Sequence, residues 1–193
     1  VGNLKHAIKA GEYVSLKEAT INVTSAVGDG INCAQYFLME SGTINISGVE
    51  DDGIQCDIDD TEVGSTGQTT DHEDEDSGNI YLEGGAIRIN IAGKAAKGIK
   101  SEGDMIISGG TINVTTTGHG KWDDEDLKTK AAACLSSDAK VVISGGTLTL
   151  TSTGAGGKGI NCDTEFELSG GDVTVVTTGG LYYNNGTTEN TNY

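Results

Sequence analysis

The sequence contains no proline. A residue without a backbone N–H has no place in a strand that must donate to a neighbour. Aromatic side chains are scarce, with one tryptophan, two phenylalanines and six tyrosines. A core built on large rings is therefore excluded. Cationic residues number 12 against 29 acids, a net charge of −17. That balance argues against nucleic acid and anionic membranes as partners, since both repel an acidic surface. It fits a secreted, solvated or cation-binding protein. The three histidines, His6, His72 and His119, are scattered, and no Ser-His-Asp or Cys-His arrangement can be assembled. Four cysteines without CxxC spacing give no zinc framework. No apolar run approaches membrane-spanning length, and no signal peptide opens the chain. The opening "VGNLKHAIKAG" reads as a mature or excised fragment.

What is present in quantity is glycine, 30 residues of the 193, and a recurring phrase. "ISGGTINVTTTG" at 107–118 returns as "ISGGTLTLTSTG" at 143–154 and "LSGGDVTVVTTGG" at 168–180. With the branched residue of "GI" and its variants as origin, the repeats start at Ile8, Ile31, Ile54, Ile99, Leu135 and Ile160. Two intervals are long, and each contains an acidic insertion, at 57–78 and at 119–130. Without the insertions, units of about two dozen residues remain, a period typical of solenoids.

Inside each unit the alternation has period two, the mark of strands. Four apolar columns follow. Six positions past the origin stand Val14, Phe37, Ile80, Met105, Val141 and Phe166, and two further on Leu16, Met39, Leu82, Ile107, Ile143 and Leu168. After a glycine corner come Ile21, Ile44, Ile87, Ile112, Leu148 and Val173, then Val23, Ile46, Ile89, Val114, Leu150 and Val175. The intervening positions Asn22, Asn45, Arg88, Asn113, Thr149 and Thr174 form a polar outward column. The pattern predicts an all-β, single-stranded right-handed parallel β-helix of about six coils with two acidic loop insertions. Successive strands pair at roughly 4.8 Å, so equivalent residues stack. Right-handedness follows from the usual crossover preference. Residues 1–180 form the helical module, and 181–193 a cap or linker tail. Tyr182 and Tyr183 are expected to close the open core end. A small inward column, Ala10, Cys33, Cys56, Ser101, Ser137 and Cys162, predicts buried free thiols, because stacked cysteines have parallel Cβ vectors unsuited to a disulfide.

The stretches "KGIKSEGDMIISGGTINVT" (97–115) and "KGINCDTEFELSGGDVTVVT" (158–177) resemble a bacterial extracellular family of carbohydrate-binding, polysaccharide-lyase-like right-handed β-helices. The resemblance covers nearly the whole chain. It implies binding of cellulose, xylan or acidic sugars, calcium in the coils and an extracellular or cell-surface location.

Candidate ligand residues follow from the register. Tyr13 and Tyr36 point outward on neighbouring coils, followed by an outward strip of Leu38, Tyr81, Ile106 and Val142. Sugars stack C–H faces on aromatic rings, so the strip reads as a platform or as a surface covered by chain. Trp122, in the second insertion, is either a sugar platform or a staple holding that loop against Ile106 and Val142. Arg88 and Asn113 supply polar contacts. Asp29 and Asp52 stack two residues before the origin with Asp57 close by, and crowded carboxylates attract calcium. Lys97, Lys100 and Lys158 read as surface lysines paired to carboxylates. The expected function is a non-catalytic module for a plant cell-wall β-1,4-glycan, xylan or cellulose. It is expected to be a monomer, on one polypeptide with a glycoside hydrolase. The rivals are a calcium-dependent pectate-type lyase or acid-sugar binder, and a structural adhesin or stalk.

Overall fold

A computed structural model describes residues 5–58 and 76–183. Among the described residues the structure is all-β, and none forms a helix. The strands come in triplets. They are β1 (Ile8–Lys9), β2 (Val14–Leu16) and β3 (Thr20–Val23); β4 (Ile31–Ala34), β5 (Tyr36–Met39) and β6 (Thr43–Ser47). Next are β7 (Ile54–Asp57), β8 (Asn79–Leu82) and β9 (Ala86–Ile91); β10 (Lys97–Ser101), β11 (Met105–Ile107) and β12 (Thr111–Thr116). A separate pair, β13 (Lys121–Asp123) and β14 (Lys128–Lys130), then intervenes. The last are β15 (Ala133–Ser137), β16 (Val141–Ile143) and β17 (Thr147–Ser152); β18 (Lys158–Cys162), β19 (Phe166–Leu168) and β20 (Asp172–Thr177).

The first, second and third members of each triplet assemble into three parallel six-stranded sheets, ordered β1-β4-β7-β10-β15-β18, β2-β5-β8-β11-β16-β19 and β3-β6-β9-β12-β17-β20. The chain thus winds from sheet to sheet as a β-helix-like solenoid. The register is the one the repeat dictates. Ile21, Ile44, Ile87, Ile112, Leu148 and Val173 pair in series, as do Ile8, Ile31, Ile54, Ile99, Leu135 and Ile160. Inward side chains of the middle windings are sealed: Ile54, Ile80, Ile99, Met105 and Leu135 are all 0% exposed. One winding cannot bury its own apolar face, so each depends on those above and below.

The corner after the second sheet shows why glycine recurs. Gly42, Gly85, Gly110, Gly146 and Gly171 have φ between +81° and +95°, the left-handed region. A Cβ on Gly42 would also stand 2.3 Å from the Ala19 carbonyl oxygen. In the first winding Glu18 takes φ +53° instead, one position earlier. The cysteines are free, and Cys33 and Cys56 pair directly in register and are fully buried.

Two expectations differ from the structure. Phe166, Leu168 and Val175 occupy inward columns yet are 49%, 51% and 45% exposed, because no further strand follows β18, β19 and β20 among the described residues. Tyr182 does not close that end; it lies against Gly120 and Gly156. The acids Asp71, Glu73, Asp74 and Glu75 of the first insertion fall outside the described residues.

Expected outcome: Ile99→Ala, between Ile54 and Leu135, removes packing that neighbouring strands cannot close around, costing about 2–5 kcal/mol. Thr149→Ala, on an exposed column, stays within about 0.5 kcal/mol. Urea unfolding measures both; equal effects would contradict the inward–outward assignment.

Candidate functional site

The segment 119–130 forms the structure's one antiparallel hairpin among the described residues. Lys121 faces Lys130, Trp122 faces Thr129 and Asp123 faces Lys128. Its turn is acidic and ties itself up. Asp123 Oδ1 accepts the backbone N–H groups of Glu125 and Asp126 at 2.9 and 3.2 Å, and Leu127 takes φ +50°. Lys130 Nζ lies 2.5 Å from Asp123 and 3.3 Å from Asp126, while Lys128 lies 3.4 Å from Asp126. Hydrogen bonds, chiefly from Lys130, hold the Asp123 carboxyl down at about 2. These pairs are exposed and contribute little to stability. What they fix is the shape of the hairpin.

Between this hairpin and the outward face of the first sheet lies a cleft of about 590 Å³. Lys94, Lys97, Lys100, Lys121, Lys128, Lys130 and Lys158 line it, seven of the chain's 12 cationic residues, against six of its 29 acids. The net charge of −17 therefore conceals one cleft where ammonium groups slightly outnumber carboxylates. Lys130 and Lys128 are neutralised within the hairpin. Lys97 donates to the Ala95 carbonyl at 2.6 Å, and Lys158 to Asn161 Oδ1 at 2.7 Å. Lys94, Lys100 and Lys121 make no ion pair or hydrogen bond through their side chains among the described residues. Gln55, Ser136 and Asn161 add neutral polar groups on the sheet wall.

At the cleft's edge runs an axial column of charged groups, one per winding. His6 Nδ1 lies 2.9 Å from Asp29 Oδ2. Asp29 Oδ1 accepts the Asp52 N–H at 3.1 Å, and Asp52 Oδ1 accepts the Lys97 N–H at 2.6 Å. Asp29 and Asp52 are 2% and 5% exposed. Burial raises the Asp29 carboxyl, opposed by the hydrogen bond from Asn32. Burial likewise pushes Asp52 up to about 7 and lowers the Lys97 ammonium. The tight acidic group is Asp29, Asp51 and Asp52, with oxygens within 4.8 Å of one another. Asp57, expected in that group, is joined to it only through the Asn32 amide, whose Nδ2 donates to Asp29 at 2.9 Å and to Asp57 at 3.2 Å. Both Asp29 oxygens and one Asp52 oxygen are already spent on donors from this chain. The carboxylate oxygens left over are the second of Asp52 and those of Asp51, so a cation here would draw the rest of its six to eight ligands from water or backbone carbonyls.

The expected aromatic platform is rearranged. Tyr13 and Tyr36 stack with centroids 4.8 Å apart and planes 4° apart. Parallel register places one ring over the other, so their faces are turned to each other and a chain laid on the strip meets edges. Tyr36 is 7% exposed and Tyr13 48%. Tyr81 is half-buried, its hydroxyl accepting from Asn79 Nδ2 at 2.8 Å. Leu38, Ile106 and Val142 are also half-buried. Trp122 Nε1 donates to Asp124 at 2.9 Å, inside the hairpin, which borders the first sheet and not the strip of Ile106 and Val142. Arg88 and Asn113 sit on the third sheet, another face. The sequence-chosen ligand residues thus spread over three surfaces. Lys94, Lys121, Lys128 and Lys130 were missed. Their signal is "KWDDEDLKTK", lysines flanking an acidic turn.

The β-helix-like solenoid thus carries one polar cleft, lined by seven lysines and six aspartates, beside the stacked strands of its first sheet. The family model described as "Carbohydrate-binding domain-containing protein" matches residues 1–185, and this chain belongs to that family. No curated protein and no solved structure gave a match.

Expected outcome: Asp52 titrates near 3.8 when unfolded and about 7 when folded. Between these values the folded state holds a proton the unfolded chain has released. Its stabilising effect is complete below about pH 4, declines as pH rises towards 7 and is lost above. Asp52→Asn keeps an oxygen for the Lys97 N–H but removes the charge. Urea unfolding at stepped pH should show a shallower decline for this variant; an unchanged slope would contradict the burial account.

Proposed function

We propose that this protein is a non-catalytic module that holds an acidic plant cell-wall polysaccharide in the cleft between the hairpin and the first sheet. The supporting observation is the concentration of seven of 12 cationic residues on one cleft of a protein with net charge −17. Uronate carboxylates complement Lys94, Lys100 and Lys121, while sugar hydroxyls suit Gln55, Ser136 and Asn161. Each exposed ammonium–carboxylate contact contributes about 0.2–1 kcal/mol. Affinity therefore requires several at once, along a chain rather than on a single sugar. The stacked strands, roughly 4.8 Å apart, offer such repeated contacts. A neutral β-1,4-glycan, xylan or cellulose, is less well served, since Tyr13 alone of the paired rings is open. The setting proposed is extracellular, on one polypeptide with a glycoside hydrolase. Nothing in this reading is routed through calcium.

A second reading is β-elimination on the same uronates. One observation favours it: burial lowers the Lys97 ammonium at the cleft's edge, the direction a proton-abstracting amine needs.

Expected outcome: in affinity electrophoresis and calorimetry, polygalacturonate or glucuronoxylan binds and neutral xylan and cellulose bind more weakly. Replacing both Lys100 and Lys121 by alanine weakens acidic-glycan binding about tenfold, some 1.4 kcal/mol, and added salt weakens it in the wild type. Equal retention of neutral glycans, or no effect of the double replacement, would overturn the reading. Binding to no glycan would favour a structural stalk. An ultraviolet-absorbing unsaturated product would establish the lyase reading.

A further inference from the structure

The hairpin's ion pairs, Lys130 with Asp123 and Asp126 and Lys128 with Asp126, are all internal to it. They shape the hairpin but do not set its distance from the first sheet. That distance depends on its root. The root is bonded on two sides: the His119 carbonyl accepts the Ala95 N–H at 2.9 Å, and the Gly120 N–H donates to the Ala155 carbonyl at 2.8 Å. His119 Nδ1 accepts the Ala155 N–H at 3.0 Å. A third element arrives from far along the chain. After β20 the backbone turns back, fixed by the Gly156 N–H donating to the Gly180 carbonyl at 2.8 Å. This return delivers Tyr182. A Cβ on Gly120 would lie 3.1 Å from the Tyr182 ring at Cγ and 3.3 Å from the Lys130 carbonyl oxygen. A Cβ on Gly156 would lie 2.7 Å from Tyr182 Cβ. Two glycines without side chains thus leave the room that Tyr182 takes, its ring beside Gly120 at the hairpin root and its Cβ beside Gly156.

We propose that Tyr182 is a positioning residue for the cleft: its side chain, seated on Gly120 and Gly156, sets the spacing between the hairpin lysines and the lysines of the first sheet. The inference rests on the cleft being the glycan site. A chain that needs ammonium groups from both walls binds best when the walls are held at fixed separation, because less ordering is left to binding. Without the ring, the hairpin root keeps only hydrogen bonds: those of His119 and Gly120 on its outgoing leg, and the Lys158 N–H to the Ala132 carbonyl and the Ala133 N–H to the Ala96 carbonyl on its return leg, with no side chain packed between them and the hairpin. The hairpin then samples several openings, and Lys121 and Lys100 meet the same glycan less often. The segment 178–183 is in this way coupled to the site, although no residue in it lines the cleft.

The sole tryptophan lies in the hairpin, so its emission reports the hairpin directly. Wild type, Tyr182→Ala, Tyr182→Phe and Gly120→Ala are compared. Polygalacturonate affinity is measured by calorimetry, thermal unfolding by circular dichroism, and Trp122 exposure by acrylamide quenching without ligand. The expected result is about a tenfold affinity loss for Tyr182→Ala with the unfolding midpoint held within about 2 °C. Trp122 should be quenched more strongly. Tyr182→Phe should restore both properties, and Gly120→Ala, which crowds the ring, should weaken binding. Wild-type affinity and quenching in Tyr182→Ala would overturn the inference, as would an affinity loss that merely tracks a fall in the midpoint. A wild type that binds while Tyr182→Ala binds equally sinks this inference alone. A wild type that binds no acidic glycan sinks the functional reading, and the role assigned to Tyr182 falls with it.

Discussion

Everything in this molecule depends on like residues lying over like at the spacing of hydrogen-bonded parallel strands. Ile31 lies against Ile54, Ile54 against Ile99 and Ile99 against Leu135, and each is wholly buried only because its neighbours are there. The same register acts on the outside. It stacks Tyr13 on Tyr36, lines up Asn22 with Asn45, and sets His6, Asp29, Asp52 and Lys97 in one column. A packed interior and an ordered exterior are two consequences of one constraint.

The exterior columns do different things according to the residue type repeated. Stacked amides satisfy one another. Stacked rings spend their faces on one another and leave edges for a ligand. Stacked carboxylates are the costly case, since burial disfavours their charge. Here a histidine on one side, a lysine on the other and backbone N–H groups between them oppose that cost without cancelling it, and burial leaves Asp52 with a carboxyl near 7. The cleft is built differently. Its lysines come from the sheet, from the loops beside it and from a hairpin that belongs to no sheet of the solenoid, and they converge only in three dimensions.

That distinction explains what could be read from the sequence. Columns such as Ile21 to Val173 are fixed by spacing alone, and so the strands, their register, the free thiols and the glycine corner were all legible. The cleft was not. Lys100 and Lys121 are separated by most of a repeat, and their approach depends on how the hairpin folds back. A net charge of −17 is a sum and carries no map, so it gave no sign that seven lysines stand together on one cleft. Register set Tyr13 beside Tyr36, but not the closeness of their stacking, which leaves Tyr36 only 7% exposed. Asp57 lay near Asp52 in sequence, yet Asn32 stands between it and Asp29.

The central claim is that the ordered stack presents its lysines to an acidic glycan laid along the solenoid. The most direct test is a crystal structure of the protein with a galacturonate oligosaccharide. The account requires its carboxylates within about 4 Å of the Lys100 and Lys121 ammonium groups, with the sugar chain running across successive strands of the first sheet. An oligosaccharide seated instead on Tyr13 or on the Asn/Thr face of the third sheet, with the cleft holding only solvent, would contradict it.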